Sequence, residues 1–180
     1  MLDASIERIL VSHQEICEAS KRLGEALAEQ FKDSTPLYVG VLKGSVPFMA
    51  ELIKHVDSHL ETEFMVVSSY HGTTASSGRV KIEKDMDTDV AGRDVVIVED
   101  IIDTGRTLKA LRELFLHRKA KSVTIVTMLD KPDGRIVDID ADMVGFTIPN
   151  EFVVGFGLDY EGKYRNLPYV GILKEDVYTN

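Results

Sequence analysis

One stretch of the chain, residues 95–107, joins an apolar run to two acids and a short polar turn. Its sequence is "VVIVEDIIDTGRT", so four β-branched residues run directly into Glu99 and Asp100. Neighbouring carboxylates can accept hydrogen bonds from the two hydroxyls of a ribose, or hold a divalent cation that bridges to one. The glycine and the small residues of the turn let successive backbone amides converge on a phosphate. The stretch therefore predicts a ribose-phosphate site.

The elements around this stretch should place it at the edge of a sheet. The run at 94–99 is typical of a buried strand, and residues 122–129 are typical of the next one. Between them, Leu108, Leu111 and Phe115 recur at helical spacing. In such a β-α-β unit a ligand binds beyond the carboxyl end of the strand, where the helix presents free amides and the positive end of its dipole. The residues that we expect around the 5-phosphate are Asp103, Thr104, Gly105, Arg106 and Thr107.

Simpler explanations exist for the separate pieces of this stretch. Acids before a helix often cap it, and an Asp-Thr-Gly sequence is common in turns. A nucleoside triphosphatase also places an acid at a strand end, but it needs G-x-x-x-x-G-K-[ST], which the sequence lacks. The contiguity of the apolar run, the acid pair and the hydroxyl-glycine turn favours the sugar-phosphate interpretation.

The rest of the chain predicts an α/β fold. Residues 13–31 carry apolar side chains on one helical face, 37–42 and 62–67 are strand-like, and short β-rich pieces follow residue 140. Runs of Val and Ile without polar alternation are typical of strands covered on both faces, which indicates a mostly parallel sheet flanked by helices. We expect a single domain over residues 1–180, with a small hood lobe built from the N-terminal segment and the residues after about 140.

Charge and composition narrow the class of partner. The formal net charge of -9 disfavours a nucleic-acid or membrane surface, so any polyanion must be held locally by amides, a few cations or a metal. The apolar runs are far shorter than the roughly 20 residues that span a bilayer. The opening "MLDASIERIL" lacks the basic flank and apolar core of a targeting segment, so we expect a cytoplasmic protein. The single cysteine, Cys17, lies among apolar residues at helical spacing and is expected to be a buried small hydrophobe.

Two further segments combine residue types that suit phosphate chemistry. In "VLKGS", Lys43 and Gly44 offer one cation and unobstructed amides just before a helix, which suits a pyrophosphate as well as a plain strand-to-helix turn. Residues 68–79, "SSYHGTTASSGR", have almost no large apolar side chain, so we expect a loop. Such a loop is either a linker or a lid that keeps water from a reactive centre.

The stretch at 95–107 resembles the phosphoribosyl-pyrophosphate signature of the type I phosphoribosyltransferases, in the form carried by hypoxanthine-guanine phosphoribosyltransferases. Other blocks match this family in the same order across roughly residues 38–170: "LKGS", "SSY", "LDKP", "FVVGFGLDY" and "YRNLPYVG". The resemblance implies the type I fold, a parallel sheet core with a small hood. It also implies transfer of a 5-phosphoribosyl group from phosphoribosyl pyrophosphate to N9 of a 6-oxopurine, which releases pyrophosphate and serves purine salvage. Hypoxanthine, guanine and xanthine differ at C2, and the sequence does not rank them.

The resemblance also implies roles for residues that would otherwise be an ordinary turn lysine, core aromatic, turn carboxylate and surface arginine. The implied purine-binding positions are Lys131, Phe152, Val153 and Asp159, the pyrophosphate-binding positions are Lys43, Gly44 and Arg165, and the lid carries Ser69 and Tyr70. Lys131 would donate to the 6-oxo group, because an ammonium donates hydrogen bonds and cannot accept them. Phe152 would stack on the base. The family often has a cis peptide before the lysine, here between Leu42 and Lys43.

Asp103 is the expected catalytic residue, placed to take or share the purine N7 proton while N9 attacks the ribose C1. The expected cofactor is Mg2+, with Glu99, Asp100 and Asp159 as its ligands. The resemblance further implies a homodimer or homotetramer. A regulatory protein that binds the same donor without catalysis could dispense with Asp103, Lys43 and Arg165, and the sequence keeps all three.

Overall fold

The computed structural model describes residues 3–69 and 80–179, which form nine strands, four α-helices and two short 3₁₀ helices. The strands are β1 (Ile6–Val11), β2 (Leu37–Leu42), β3 (Glu61–Ser69), β4 (Val80–Lys84), β5 (Asp94–Ile102), β6 (Ser122–Asp130), β7 (Met143–Thr147), β8 (Val153–Val154) and β9 (Val170–Leu173). The helices are α1 (His13–Gln30), α2 (Val46–Leu52), α3 (Arg106–His117) and α4 (Glu175–Tyr178), with 3₁₀ turns at Ile53–His55 and Pro132–Gly134. Within the two described ranges, no helix has both the length and the apolar character that a membrane span requires.

Six strands form a central sheet in the order β4-β3-β2-β5-β6-β7. The neighbours from β3 to β7 pair in parallel, and β4 runs antiparallel to β3. The apolar residues of β5 serve both faces: Val96 and Val98 pack into one core cluster, and Val95 and Ile97 pack into the other. This is the period-two alternation of a strand that is covered on both sides. The prediction of a mostly parallel sheet flanked by helices is confirmed.

Helices cover both faces of this sheet. The first, α1, begins with a capping box in which Ser12 Oγ accepts from Glu15 N and the Glu15 carboxylate accepts from Ser12 N. The buried stripe of α1 joins α2 in the cluster on one face of the sheet. On the other face, α3 buries Leu108, Leu111 and Phe115, so the helical face predicted from these residues is confirmed.

Three strands form a smaller antiparallel sheet in the order β1-β9-β8. The N-terminal segment belongs to it, but the residues after about 140 do not all do so, because Met143–Thr147 pairs in parallel with β6 and extends the central sheet. The run "FVVGFG" is also shorter as a strand than its composition predicts. It turns after Val154, since Gly155, Phe156 and Gly157 have φ angles of 98°, 46° and 100°.

The strand predicted at 94–99 is longer in the structure and continues to Ile102. Glu99 pairs with Thr127, and Ile102 pairs with Asp130, both in β6. Both acids therefore lie within β5, whereas the predicted strand at 94–99 would have left Asp100 beyond its end. The physical reason is that ladder hydrogen bonds join backbone groups, so polar side chains do not end the pairing while β6 continues alongside.

The structure also bears on the expectations for Cys17 and for the loop at 68–79. Cys17 is partly exposed and not buried, because it lies next to the buried Ile16 at the margin of the apolar stripe of α1. The loop predicted over 68–79 begins later than expected, since residues 68 and 69 still pair with β4. Its remaining residues, including Tyr70, lie outside the described part of the chain, so the lid stays a prediction.

Candidate active site

The connection between β5 and α3 carries the predicted phosphate residues. Strand β5 ends at Ile102 and α3 begins at Arg106, so residues 103–105 alone join them. Gly105 has a φ of 80°, and a Cβ atom there would lie 2.6 Å from Ile139 Cγ2, so only glycine fits this position. A cavity of about 100 Å3 opens beside the loop and is lined by Glu99, Ile102, Asp103, Thr104, Gly105 and Thr107. Four of the five expected phosphate residues therefore share one cavity, and the exposed Arg106 is not among its lining residues.

The two acids at the end of β5 make no salt bridge within the described part of the chain, although the nearby positive charge of Arg165 acts on Asp100. Glu99 Oε2 is buried with no hydrogen-bond partner in the described part of the chain. Asp100 Oδ1 accepts from Ile101 N at 2.8 Å. Burial raises the pKa of Glu99 well above its ordinary value, and the neighbouring Asp100 charge adds to this effect. Burial also raises the pKa of Asp100 to about 6. Two desolvated carboxylates with these pKa shifts favour a bound cation at this place.

The third expected metal ligand is engaged elsewhere. Asp159 Oδ1 lies 2.6 Å from Arg165 Nη2, and Asp159 Oδ2 accepts from Gly162 N at 2.7 Å. Among residues 3–69 and 80–179, no group of three or more His, Cys, Asp or Glu side chains is placed to hold a metal ion. The pair Glu99 and Asp100 thus offers oxygen ligands of the type that Mg2+ prefers, but too few for a site made of protein alone.

Asp103 is paired with Lys131, the lysine to which the family resemblance gives a role at the purine. Lys131 Nζ lies 3.2 Å from Asp103 Oδ2 and 3.4 Å from the carbonyl oxygen of Glu151. The backbone helps to bring them together, since Lys131 N donates to Ile102 O at 2.9 Å. The side chain of Lys131 is 12% exposed, and that of Asp103 is 44% exposed. A partly exposed carboxylate therefore lies beside a largely buried lysine side chain.

Arg135 contacts the backbone of the loop 103–105, and the sequence analysis did not identify it. Its Nη1 donates to the carbonyl oxygen of Asp103 at 2.5 Å, and its Nη2 pairs with the Asp130 carboxylate. The next residue also contributes, because Ile136 N donates to Thr104 O at 3.1 Å. No sequence signal pointed to Arg135, since an arginine after a "PDG" turn reads as a surface residue. The segment 131–136 thus fixes the backbone of the phosphate loop.

The predicted pyrophosphate residues meet at the end of β2. The peptide bond between Leu42 and Lys43 is cis, as the family resemblance suggested. A Cβ atom on Gly44 would lie 1.7 Å from Asp100 Oδ2, and one on Gly157 would lie 1.9 Å from Gly44 O. Close approach of three segments therefore requires glycine at both positions.

Two cationic residues, Arg165 and Lys43, are placed at this junction. Arg165 Nη1 donates to Gly157 O at 2.6 Å, which places its guanidinium beside Gly44. Lys43 is exposed, and no ion pair of its ammonium is present in the described structure. The junction thus has one cation held in place and one free to meet an anion.

Two of the four residues expected at the base, Phe152 and Val153, lie at the small sheet, whereas Lys131 follows β6 and Asp159 follows β8. Phe152 precedes β8 and is 39% exposed, whereas Val153 is buried in that strand. Two tyrosine rings contact Phe152: Tyr178 is stacked at a centroid distance of 4.8 Å, and Tyr160 makes an edge contact at 5.7 Å. Tyr178 belongs to the short helix α4, and the sequence gave no reason to connect it with the site.

Comparison with known proteins agrees with this geometry. A family model described as "Phosphoribosyl transferase domain" matches residues 8–161, so the class of protein is a phosphoribosyltransferase. The hypoxanthine-guanine phosphoribosyltransferase of Lactococcus lactis is 67% identical over 178 residues, which cover 99% of this chain and 97% of that protein. The same enzyme of Streptococcus pyogenes is 62% identical over 179 residues, or 99% of each chain. A solved hypoxanthine phosphoribosyltransferase from Staphylococcus aureus has a TM-score of 0.94 at 49% identity, covering 98% of this chain and 96% of that one. The chain belongs to the hypoxanthine-guanine phosphoribosyltransferase family.

Proposed function

We propose that this chain transfers the 5-phosphoribosyl group of phosphoribosyl pyrophosphate to N9 of a 6-oxopurine. The bond from ribose C1 to the pyrophosphate oxygen breaks, a bond from C1 to N9 forms, and the purine loses one proton. The products are pyrophosphate and inosine or guanosine monophosphate. The observation that carries this proposal is the cavity that Glu99 shares with the loop 103–107, with Asp103 and Lys131 paired at its edge.

The donor molecule would lie along the end of β5 and α3. Its 5-phosphate would accept hydrogen bonds from the amides of residues 103–107 and from the hydroxyls of Thr104 and Thr107, at the positive end of the α3 dipole. The ribose hydroxyls would donate to Glu99 and Asp100. The fixed φ of Gly105 and the contacts of Arg135 support this role, because they hold the amides in place before the ligand arrives.

The pyrophosphate would occupy the junction of β2 with the segment 157–165. Negative charge grows on it as the bond to C1 breaks, so cations that already face it stabilise the transition state. Lys43 would supply a point charge, and Gly44, whose lack of a side chain leaves room for Asp100, would add a backbone amide. Arg165 supplies a planar group with several donors, whose geometry a lysine could not copy.

The base would lie between the loop and the small sheet. Lys131 would donate to the 6-oxo group, which favours hypoxanthine and guanine over adenine, because the 6-amino group of adenine is also a donor. Phe152 would stack on the ring, and backbone groups near Val153 and Asp159 would read its edge. Asp103 would take or share the N7 proton, for which its exposed carboxylate next to Lys131 is suited.

Mg2+ fits the two carboxylates at the end of β5, where Glu99 Oε2 has no other partner in the described structure. When bound, the ion would neutralise negative charge on the leaving pyrophosphate. Because Glu99 and Asp100 are too few to hold it alone, the oxygens of the substrate would complete its coordination. Asp159 would join only after leaving Arg165.

We further propose that the chain acts as one domain, as a homodimer or homotetramer in the cytoplasm, on small molecules and not on nucleic acid or membrane. These expectations rest on the family resemblance and on the net charge of -9.

The proposal is tested by incubating the purified protein with phosphoribosyl pyrophosphate, Mg2+ and one purine base at a time. Nucleotide should form with hypoxanthine and guanine, and far more slowly with adenine. Tight binding of the donor with no nucleotide from any base would instead identify a regulatory protein that senses it.

A further inference from the structure

The ring of Phe152 is supported by an aromatic residue from the last helix. Tyr178 lies nearly parallel to it, with an interplanar angle of 20° and a centroid distance of 4.8 Å. Tyr160 meets Phe152 at 87°. Near-parallel stacking and edge contact are the arrangements that aromatic pairs prefer.

The small sheet explains why Tyr178 returns to Phe152. Strand β9 pairs with β8, and Leu173 N donates to Phe152 O at 3.0 Å. Helix α4 follows at once, and its start is tied to the N-terminal segment, since Lys174 N donates to Ser5 O at 3.0 Å and Lys174 Nζ donates to Ala4 O at 2.8 Å. The position of Tyr178 is thus set by backbone contacts and not by its own stacking alone.

Phe152 keeps an open surface despite its two tyrosine neighbours, because 39% of the residue is exposed. Phe152 follows a residue that contacts the Asp103–Lys131 pair, since Lys131 Nζ lies 3.4 Å from the carbonyl oxygen of Glu151. An exposed phenylalanine normally rotates among several side-chain conformers, and fixing one of them on ligand binding costs free energy. A ring that is already stacked on a second ring avoids much of that cost.

We propose that Tyr178 is a positioning residue for the purine, and that it supports Phe152 from the ring face opposite the base. Tyr178, Phe152 and the base then form a three-layer stack. This inference rests on the proposed stacking of the base on Phe152. It gives the C-terminal helix a part in base binding, but none in binding the sugar phosphate.

The test compares two ligands that differ by the base alone. Inosine monophosphate and ribose 5-phosphate are titrated calorimetrically into the wild-type protein and into the Tyr178→Ala, Tyr178→Phe and Val177→Ala variants. Val177→Ala is the matched control, because Val177 lies on the same helix and packs on the small-sheet core. Tyr178→Ala should weaken inosine monophosphate about 3- to 10-fold, the range expected for one lost aromatic pair. Its affinity for ribose 5-phosphate should stay within about twofold of wild type, and Tyr178→Phe and Val177→Ala should match wild type with both ligands.

Other outcomes overturn the inference. Unchanged binding of the nucleotide by Tyr178→Ala would show that the stack has no role. Tighter binding would show that Tyr178 covers the face that the base needs. An equal loss with Val177→Ala, or an equal loss for ribose 5-phosphate, would show a general disturbance of the small sheet. Failure of the wild-type protein to bind inosine monophosphate would instead overturn the proposed function itself.

Discussion

The proposed active site has two parts, a donor side for the sugar phosphate and a base side for the purine, and they are built in different ways. The proposed donor side consists of residues 99–107, one contiguous stretch at the end of β5, and it would act largely through backbone amides and two acids. The proposed base side consists of Lys131, Phe152 and Tyr178, three side chains from separate segments. A site made of contiguous backbone is set mainly by local structure, with the segment 131–136 holding it in place, whereas a site made of dispersed side chains depends wholly on the tertiary fold.

Asp103 is the place where the two sides meet, so its substitution should have the largest effect. Asp103→Asn keeps the shape of the side chain but cannot accept the purine proton as a carboxylate does. We expect kcat to fall about 100- to 10,000-fold, the usual range for loss of a general base, with little change in ribose 5-phosphate binding. Steady-state kinetics and calorimetry check this, with the exposed Asp133→Asn as control. Activity within a few-fold of wild type would remove Asp103 from this role.

Lys131 tests whether the base side discriminates by hydrogen bonding. Lys131→Met removes the donor to the 6-oxo group and also the partner of Asp103. Since a hydrogen bond to a charged group contributes about 1.5 to 3 kcal/mol, kcat/KM for hypoxanthine should fall about 10- to 150-fold. The variant should also lose its preference for hypoxanthine over adenine, and competition assays with the two bases measure this preference. Lys21→Met, with an exposed side chain on α1, is the control. An unchanged preference would mean that another group reads the 6-position.

The acids of the donor side predict a pH-dependent need for Mg2+. Because the pKa of Asp100 is raised to about 6, its carboxyl holds a proton at lower pH that a metal ion must displace. The Mg2+ concentration for half-maximal rate should therefore rise by at least about tenfold per pH unit below 6, because the pKa of Glu99 is raised as well. The substrate phosphates titrate too, so the same curve is measured for Asp100→Asn, which should lose the part that belongs to Asp100. Coincident curves for the two proteins would contradict this role for Asp100.

Arg135 should have the smallest effect of the four, because it acts through the backbone of the donor side. Arg135→Lys keeps a charge but cannot reach the Asp103 carbonyl and the Asp130 carboxylate together. A single hydrogen bond contributes about 1 kcal/mol net, so kcat/KM for phosphoribosyl pyrophosphate should fall about 3- to 10-fold. The KM for the purine should change less. Equal changes in both KM values would show that Arg135 supports the fold and not the loop in particular.

The same contrast explains what could be predicted from the sequence. The donor side could be predicted from the sequence because the apolar run, the acids and the glycine turn follow one another. The structure places Glu99 and most of the turn residues at one cavity. The end of β5 was misplaced at 99, because side-chain polarity does not report where backbone pairing with β6 stops. Likewise Met143–Thr147 was assigned to the hood, because a short β-rich run does not say which sheet it will join.

The residues of the base side could be predicted only from the family resemblance. Taken alone, Lys131 and Phe152 are an ordinary turn lysine and an ordinary aromatic residue. The contacts of Tyr178 and Arg135 could not be predicted, because each depends on a partner far away in the sequence. Partners of that kind are chosen by strand pairing and loop packing, which leave no local pattern in composition or spacing.

The most direct test of the donor side is a crystal structure with inosine monophosphate and Mg2+ bound. The 5-phosphate should lie within hydrogen-bonding distance of the amides of residues 103–107, and the ribose hydroxyls should face Glu99 and Asp100. A 5-phosphate bound at Lys43 and Gly44, with the loop after β5 empty, would contradict the assignment.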